Sequence, residues 1–270
     1  MSTLELDQRH ETPVTLVQSG AFGIRYAYAR SADTGRAGQS GQDYVAIRAE
    51  AERLVFVLCD GVGQSFFGEI GSQILGDALL RWLWKLPGDS QGSSLVLEDW
   101  VGKLHEYLKT VSASATPLVG EKDLKDIQAG LLREVLEDKR KEGSQSNFVC
   151  GAFDAPSRDL QAGRLLLFWL GNAKLQIWRA GTNLTERLEA AWDDRERWSS
   201  LTGAVGRVHA YRSDWRQIDC VIGHSDGLDP VRRVLKPALA SQVIDQNIDQ
   251  LRRQPNSDDI SFVEISLRNT

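Results

Sequence analysis

The sequence predicts an α+β domain built in layers, and three observations predict it. Strand-like runs open the chain, helical periodicity fills its middle, and strand-like runs return from Ser146 onward. Helices are thus grouped together and do not alternate with strands, which argues against a doubly wound parallel sheet. Short connections between apolar runs suggest antiparallel pairing.

The chain has 270 residues, enough for one domain with a large core. Residues 12–30 read as one or two strands, and the small, polar, Gly-rich 31–42 reads as a loop. DYVAIRAE and ERLVFVLCDG read as two strands joined by a short turn. The second is almost continuously apolar, as a strand buried on both faces is. A Gly-rich GVGQSFFGEIG leads into a helix marked by Ile70, Ile74, Ala78, Leu79, Trp82, Leu83 and Leu86, and Pro87-Gly88 ends it. Two amphipathic helices follow, over about 96–111 and about 122–141. The second ends in the mixed-charge run EDKRKEG, the mark of a solvated face.

SNFVCGAFD, RLLLFWLGN, KLQIWRAG and DWRQIDCVIGHSDG read as strands, with a hairpin around Gly171-Asn172. A helix over roughly 236–253 and a closing strand, DDISFVEISL, complete a single domain over 1–270. No repeat, low-complexity tract or long linker divides it.

The charge balance, 32 Lys and Arg against 37 Asp and Glu, gives −5. That argues against a nucleic-acid partner, which needs clustered cations. No window approaches the roughly 18 apolar residues of a membrane span. Cys59, Cys150 and Cys220 each lie in an apolar run and read as buried thiols. Together with a polar N-terminus, they point to a reducing, cytoplasmic setting.

Four aspartates stand at the ends of apolar runs beside turn residues: Asp43, Asp60, Asp226 and Asp258. One Asp before Gly is an ordinary turn residue. Four carboxylates gathered at one end of a sheet would repel unless hard cations neutralised them, which points to Mg²⁺ or Mn²⁺. Zinc is disfavoured, because the four histidines show no ligand spacing. A phosphate-cradling loop in DGVGQSFFGEIG is excluded too. It lacks a terminal Lys-Ser/Thr, and Phe66 stands where a dinucleotide fingerprint needs its third Gly.

FVLCDGVGQSFFGEIGSQIL, SNFVCGAF with LLLFWLGNAKLQIWRAG, WSSLTGAVG, VIGHSDGLDPV and SDDISFVEISL occur in that order. Over roughly 20–268 the chain resembles the metal-dependent type 2C serine/threonine protein phosphatases, in their bacterial stand-alone form. The resemblance implies an αββα sandwich of two antiparallel sheets flanked by helices. It implies two Mn²⁺ or Mg²⁺ ions, with Asp60 bridging both. Asp43 and the Gly61 carbonyl would hold one ion, and Asp226 and Asp258 the other. Asp60 and Asp226 are then the catalytic carboxylates, and water activated by the metals attacks phosphorus in line. It implies a phosphorylated protein as substrate and a serine/threonine kinase as partner.

The sequence departs from that pattern at several points. Asn172 stands where the family has Asp, and Pro230 where a second acid follows Asp226, with Asp229 the nearest acid. A third metal is therefore expected to be weak or absent. Gln42 replaces a usual Glu, and Arg36 is the nearest candidate for the phosphate-binding arginine. His224 reads as packing or as a leaving-group proton donor. The altered third-metal region leaves one alternative, a catalytically weak or inactive module that binds a phosphoprotein or kinase.

Overall fold

The computed structural model describes residues 2–87, 96–121, 130–157, 160–189 and 192–267. Two antiparallel sheets pack face to face with helices on both outer sides, the αββα arrangement.

The first sheet contains β1 (Ser2–Glu5), β4 (Tyr44–Ala49), β5 (Arg53–Gly61), β6 (Gln145–Asp154), β10 (Arg197–Ser199) and β11 (Gly203–Val205) in that order, with β7 (Arg164–Leu170) and β12 (His209–Ser213) branching from β6. The second runs β2 (Thr12–Ser19), β3 (Phe22–Ala29), β14 (Ile260–Leu267), β13 (Cys220–His224), β8 (Lys174–Arg179) and β9 (Thr182–Asn183). The helices are α1 (Ala32–Arg36), α2 (Gly68–Trp84), α3 (Leu97–Gly120), α4 (Leu131–Glu142) and α5 (Ser241–Arg252).

Strand β5 shows why its sequence is continuously apolar. Leu54, Phe56 and Leu58 point between the sheets, where they meet Ile24, Val149, Val221 and Val263. Val55, Val57 and Cys59 point outward, against Leu75 and Leu79 of α2 and Leu104 and Leu108 of α3. Both faces are dry, so period-two alternation disappears. On the other side Ile244, Ile248 and Leu251 of α5 cover Ala27, Ile222 and Phe262.

Several expectations change. Gly171-Asn172 does not close a hairpin. Strand β7 pairs with β6 and β12, whereas β8 pairs with β13 and β9, so the chain crosses from one sheet to the other there. Residues 31–42 include α1, capped by Ser31 Oγ accepting from the Thr34 amide at 3.1 Å. Helix α3 runs on to Gly120, through Pro117. Of the helix expected over about 122–141, residues 122–129 lie outside the described residues, and α4 begins at Leu131. The last helix begins at Ser241, five residues later than the pattern suggests. In DWRQIDCVIGHSDG only Cys220–His224 is strand.

Candidate metal centre

Asp60 lies near the end of β5, where Leu58 and Cys59 are fully buried and fix the strand. Asp60 itself is buried, and its Oδ2 has no hydrogen-bond partner among the described residues. Burial pushes its pKa well up, and the charges of Asp43, Asp226 and Asp258 push it further; the Asp226 backbone amide acts the other way. The next residue, Gly61, has no room for a side chain. A Cβ there would lie 2.6 Å from the Gln42 carbonyl oxygen and 3.0 Å from that of Gly68. This close approach packs the segment before β4, the end of β5 and the start of α2 together.

Asp43, just before β4, is 2% exposed. Its Oδ2 accepts from Ser261 Oγ at 2.8 Å. Burial raises its pKa well above the carboxylate range, with Asp259 and Asp258 adding to the rise and the hydroxyls of Ser261 and Ser225 opposing it. Asp226 opens a 3₁₀ turn (Asp226–Val231) directly after β13. Burial, then Asp258 and Asp229, raises its pKa to about 6, while Lys174 and Asn172 restrain it. Asp258 is exposed just before β14, and its Oδ1 accepts the Asp259 amide at 2.8 Å. A cavity of about 390 Å³ opens beside Asp226 and Asp258, with Asp229, Asn256 and Ser257 on its wall.

The fold thus brings Asp43, Asp226 and Asp258 close enough to Asp60 for their charges to act on it. Among the described residues no three acidic, histidine or cysteine side chains converge tightly enough to chelate one ion as they stand. The donor set still suits a hard divalent cation: all its atoms are oxygen, and one buried carboxylate oxygen has no hydrogen-bond partner among the described residues.

The remaining expected residues fall elsewhere. Arg36 ends α1 with its side chain 75% exposed, 3.5 Å from Asp33. His224 is fully buried, and its Nδ1 lies 2.9 Å from the Ser225 carbonyl oxygen, to which it donates. Burial lowers its pKa to about 4, so it is neutral at pH 7 and packs as a core residue. Asp229 lies 3.4 Å from the Lys174 ammonium. All three cysteines are buried, and burial raises each thiol's pKa. Among the described residues no helix is long and apolar enough to cross a membrane.

Sequence reasoning missed two supporting side chains. Asp259 is buried and uses both oxygens on backbone amides, Ser31 at 2.7 Å and Gln42 at 2.6 Å. Asn147, directly opposite Asp60 across β5 and β6, is buried at the site end of its strand. A carboxamide inside the apolar run SNFVCGAF was the available signal.

The chain has the fold of the bacterial serine/threonine phosphatases. A serine/threonine phosphatase from S. agalactiae matches it with a TM-score of 0.56 at 14% identity, covering 92% of this chain and 100% of that one. Stp1, a serine/threonine phosphatase from Staphylococcus aureus, matches with a TM-score of 0.54 at 13% identity, over 98% of this chain and 100% of that one. A bacterial serine phosphatase matches with 0.53 at 12%, over 92% and 98%. No protein-family model and no curated protein matches the sequence. At such identities the likeness is one of fold, and activity rests on the site.

Proposed function

We propose that this chain is a metal-dependent phosphatase that hydrolyses phosphoserine and phosphothreonine in proteins. Two Mn²⁺ or Mg²⁺ ions would be held by Asp43, Asp60, the Gly61 carbonyl, Asp226 and Asp258. One observation carries the reading: Asp60 is buried, its Oδ2 has no hydrogen-bond partner among the described residues, and three other aspartates raise its pKa. A buried carboxylate in that field calls for protons or cations, and hard oxygen donors select magnesium or manganese. Bound there, the ions supply positive charge for phosphoryl oxygens and make water a competent nucleophile near neutral pH.

The chain's own residues have separate tasks. Ser261 orients Asp43 through a hydrogen bond of 2.8 Å. Arg36 is the phosphate-binding candidate. Its exposed pair with Asp33 is held weakly enough to exchange for a phosphate. The buried cysteines stay as thiols, which agrees with a water nucleophile and no phosphoenzyme. A phosphoprotein substrate, a partner serine/threonine kinase and a cytoplasmic setting belong to the same reading.

A second reading, a weak or inactive phosphoprotein-binding module, is favoured by the third-metal region. Position 172 offers a neutral amide, and the nearby Asp229 faces Lys174. The two readings separate on hydrolysis of p-nitrophenyl phosphate and of phosphopeptides across a Mn²⁺ titration. Turnover that is abolished by chelator supports the enzyme. Phosphopeptide binding without turnover, in protein shown to hold Mn²⁺, supports the module.

A further inference from the structure

Asn172 lies between two polar side chains, one on a strand of the first sheet and one just after a strand of the second. Its Nδ2 is 2.8 Å from Asp226 Oδ2, and its Oδ1 is 2.5 Å from Asn147 Nδ2. The direction of both bonds follows from chemistry. An ionised carboxylate only accepts, so Asn172 must turn its NH₂ toward Asp226. Its Oδ1 then faces Asn147, which must donate. Reversing either carboxamide would set oxygen against oxygen or NH₂ against NH₂.

Asn147 is closely packed, and its own Oδ1 has no hydrogen-bond partner among the described residues, so the bond to Asn172 is what orients its carboxamide. Asn147 is 4% exposed and lies on β6 opposite Asp60. A Cβ on Gly171 would come within 2.1 Å of its Oδ1. Gly171 also has φ +90°, which disfavours any side chain. The crossing from β7 to β8 therefore passes tightly against the Asn147 carboxamide. A line of contacts then runs from Asp60's strand partner in one sheet, through Asn172, to Asp226 after β13 in the other.

We propose that Asn172 is a positioning residue for Asp226 and that Asn147 holds it in place. On this account the amide at 172 fixes the orientation of a ligand carboxylate and is not itself a metal ligand. The proposal rests on the metal-centre reading above. It differs from the view that position 172 is a defective ligand site: a defective ligand is repaired by an acid, whereas a positioning donor is lost when an acid replaces it. Asn172→Asp would face Asp226 with a second carboxylate and remove the hydrogen it receives.

The test is calorimetric titration of Mn²⁺ into the full chain, wild type against Asn147→Ala, Asn172→Ala, the double variant and Asn172→Asp. Asn147→Leu, closer in volume, serves if the alanine variant does not fold. The melting temperature of chelated protein reports folding separately. Loss of an outer hydrogen-bond partner is expected to weaken Mn²⁺ binding about 10-fold or more. Asn147→Ala should do so although, among the described residues, its side chain makes no hydrogen bond to Asp226. The double variant should bind little worse than either single one, because both break one chain of bonds. Asn172→Asp should weaken binding as well. Wild-type affinity in both Asn147 variants overturns the proposal, as do additive losses or tighter binding by Asn172→Asp. A wild-type chain that takes up no Mn²⁺ fails differently: it overturns the metal centre, and the positioning role with it.

Discussion

Asp259 Oδ2 accepts the backbone amide of Gln42 at 2.6 Å, one residue before Asp43 enters the site. Its other oxygen accepts the Ser31 amide at 2.7 Å, just before α1. One buried carboxylate thus clamps the segments that carry Asp43 and Arg36, while its chain neighbour Asp258 stays exposed. The acid that shapes the site and the acid expected to bind a cation are adjacent in sequence and opposite in environment.

Asp259→Ala leaves two backbone amides without their acceptor and should cost about 2–4 kcal/mol of stability. Asp259→Asn keeps one acceptor oxygen and turns an NH₂ toward the other amide, so it should lose less than alanine but remain below wild type. Denaturant unfolding of chelated protein measures both. Equal stability of all three proteins would show that the clamp carries no load.

Asp60→Asn separates charge from shape. The amide fills the same space and removes the charge that sits in the field of Asp43, Asp226 and Asp258. Phosphatase activity at saturating Mn²⁺ should fall by about 10²-fold or more, the scale of losing one electrostatic stabiliser. The chelated variant should melt at or above the wild-type temperature, because one repelling carboxylate is gone. Turnover equal to wild type would remove Asp60 from the centre.

The fold was legible where period and punctuation agree. The β4–β5 pair follows from two apolar runs and a short turn, and α2 from its 3.6-residue spacing up to Pro87. Gly171-Asn172 was misread because a turn signal is the same whether the flanking strands pair or part. Strand β7 is leucine-rich and buried on both faces, so it shows no alternation, and in β8 the alternation of Leu175 and Ile177 with Lys174 and Gln176 marks a face without telling which sheet the strand joins. Strands β10 and β11, three residues each, are too short to show a period. At the candidate site, Asp43, Asp60, Asp226 and Asp258 were visible from their strand-end contexts. Asn147 and Asp259 were not, because their roles depend on segments more than 20 residues away in sequence.

Chelation and metal addition should move stability in opposite directions. Each cation bound to the folded chain stabilises it by mass action, by about 2.7 kcal/mol at a hundredfold excess over its dissociation constant. For a domain of this size that corresponds to a melting-temperature rise of roughly 5–10 °C. The rise should be lost on adding EDTA and should shrink in Asp60→Asn. Differential scanning calorimetry with and without Mn²⁺ measures it, and a melting temperature indifferent to both additions would contradict a metal centre.

The sign of the pH dependence should reverse with metal. In chelated protein, Asp226 has its pKa raised to about 6 by burial, Asp258 and Asp229, against an ordinary value near 3.9 when unfolded. Between about pH 4 and 6 the folded chain therefore binds more protons than the unfolded chain, so stability falls as pH rises through that window. Above about pH 6 the whole penalty is present, and below about pH 4 it is gone. Asp43 and Asp60 are shifted the same way and contribute the same sign. Asp226→Asn removes its share. Chelated Asp226→Asn should match wild type at pH 4 and exceed it at pH 7.5, by on the order of 1–3 kcal/mol. With Mn²⁺ present the wild type should instead gain stability as pH rises, because cations bind the ionised carboxylates and protons compete. Urea unfolding at pH 4, 5, 6 and 7.5, with EDTA or with Mn²⁺, measures both slopes. Parallel slopes under the two conditions would mean that protons and cations do not compete for the same aspartates.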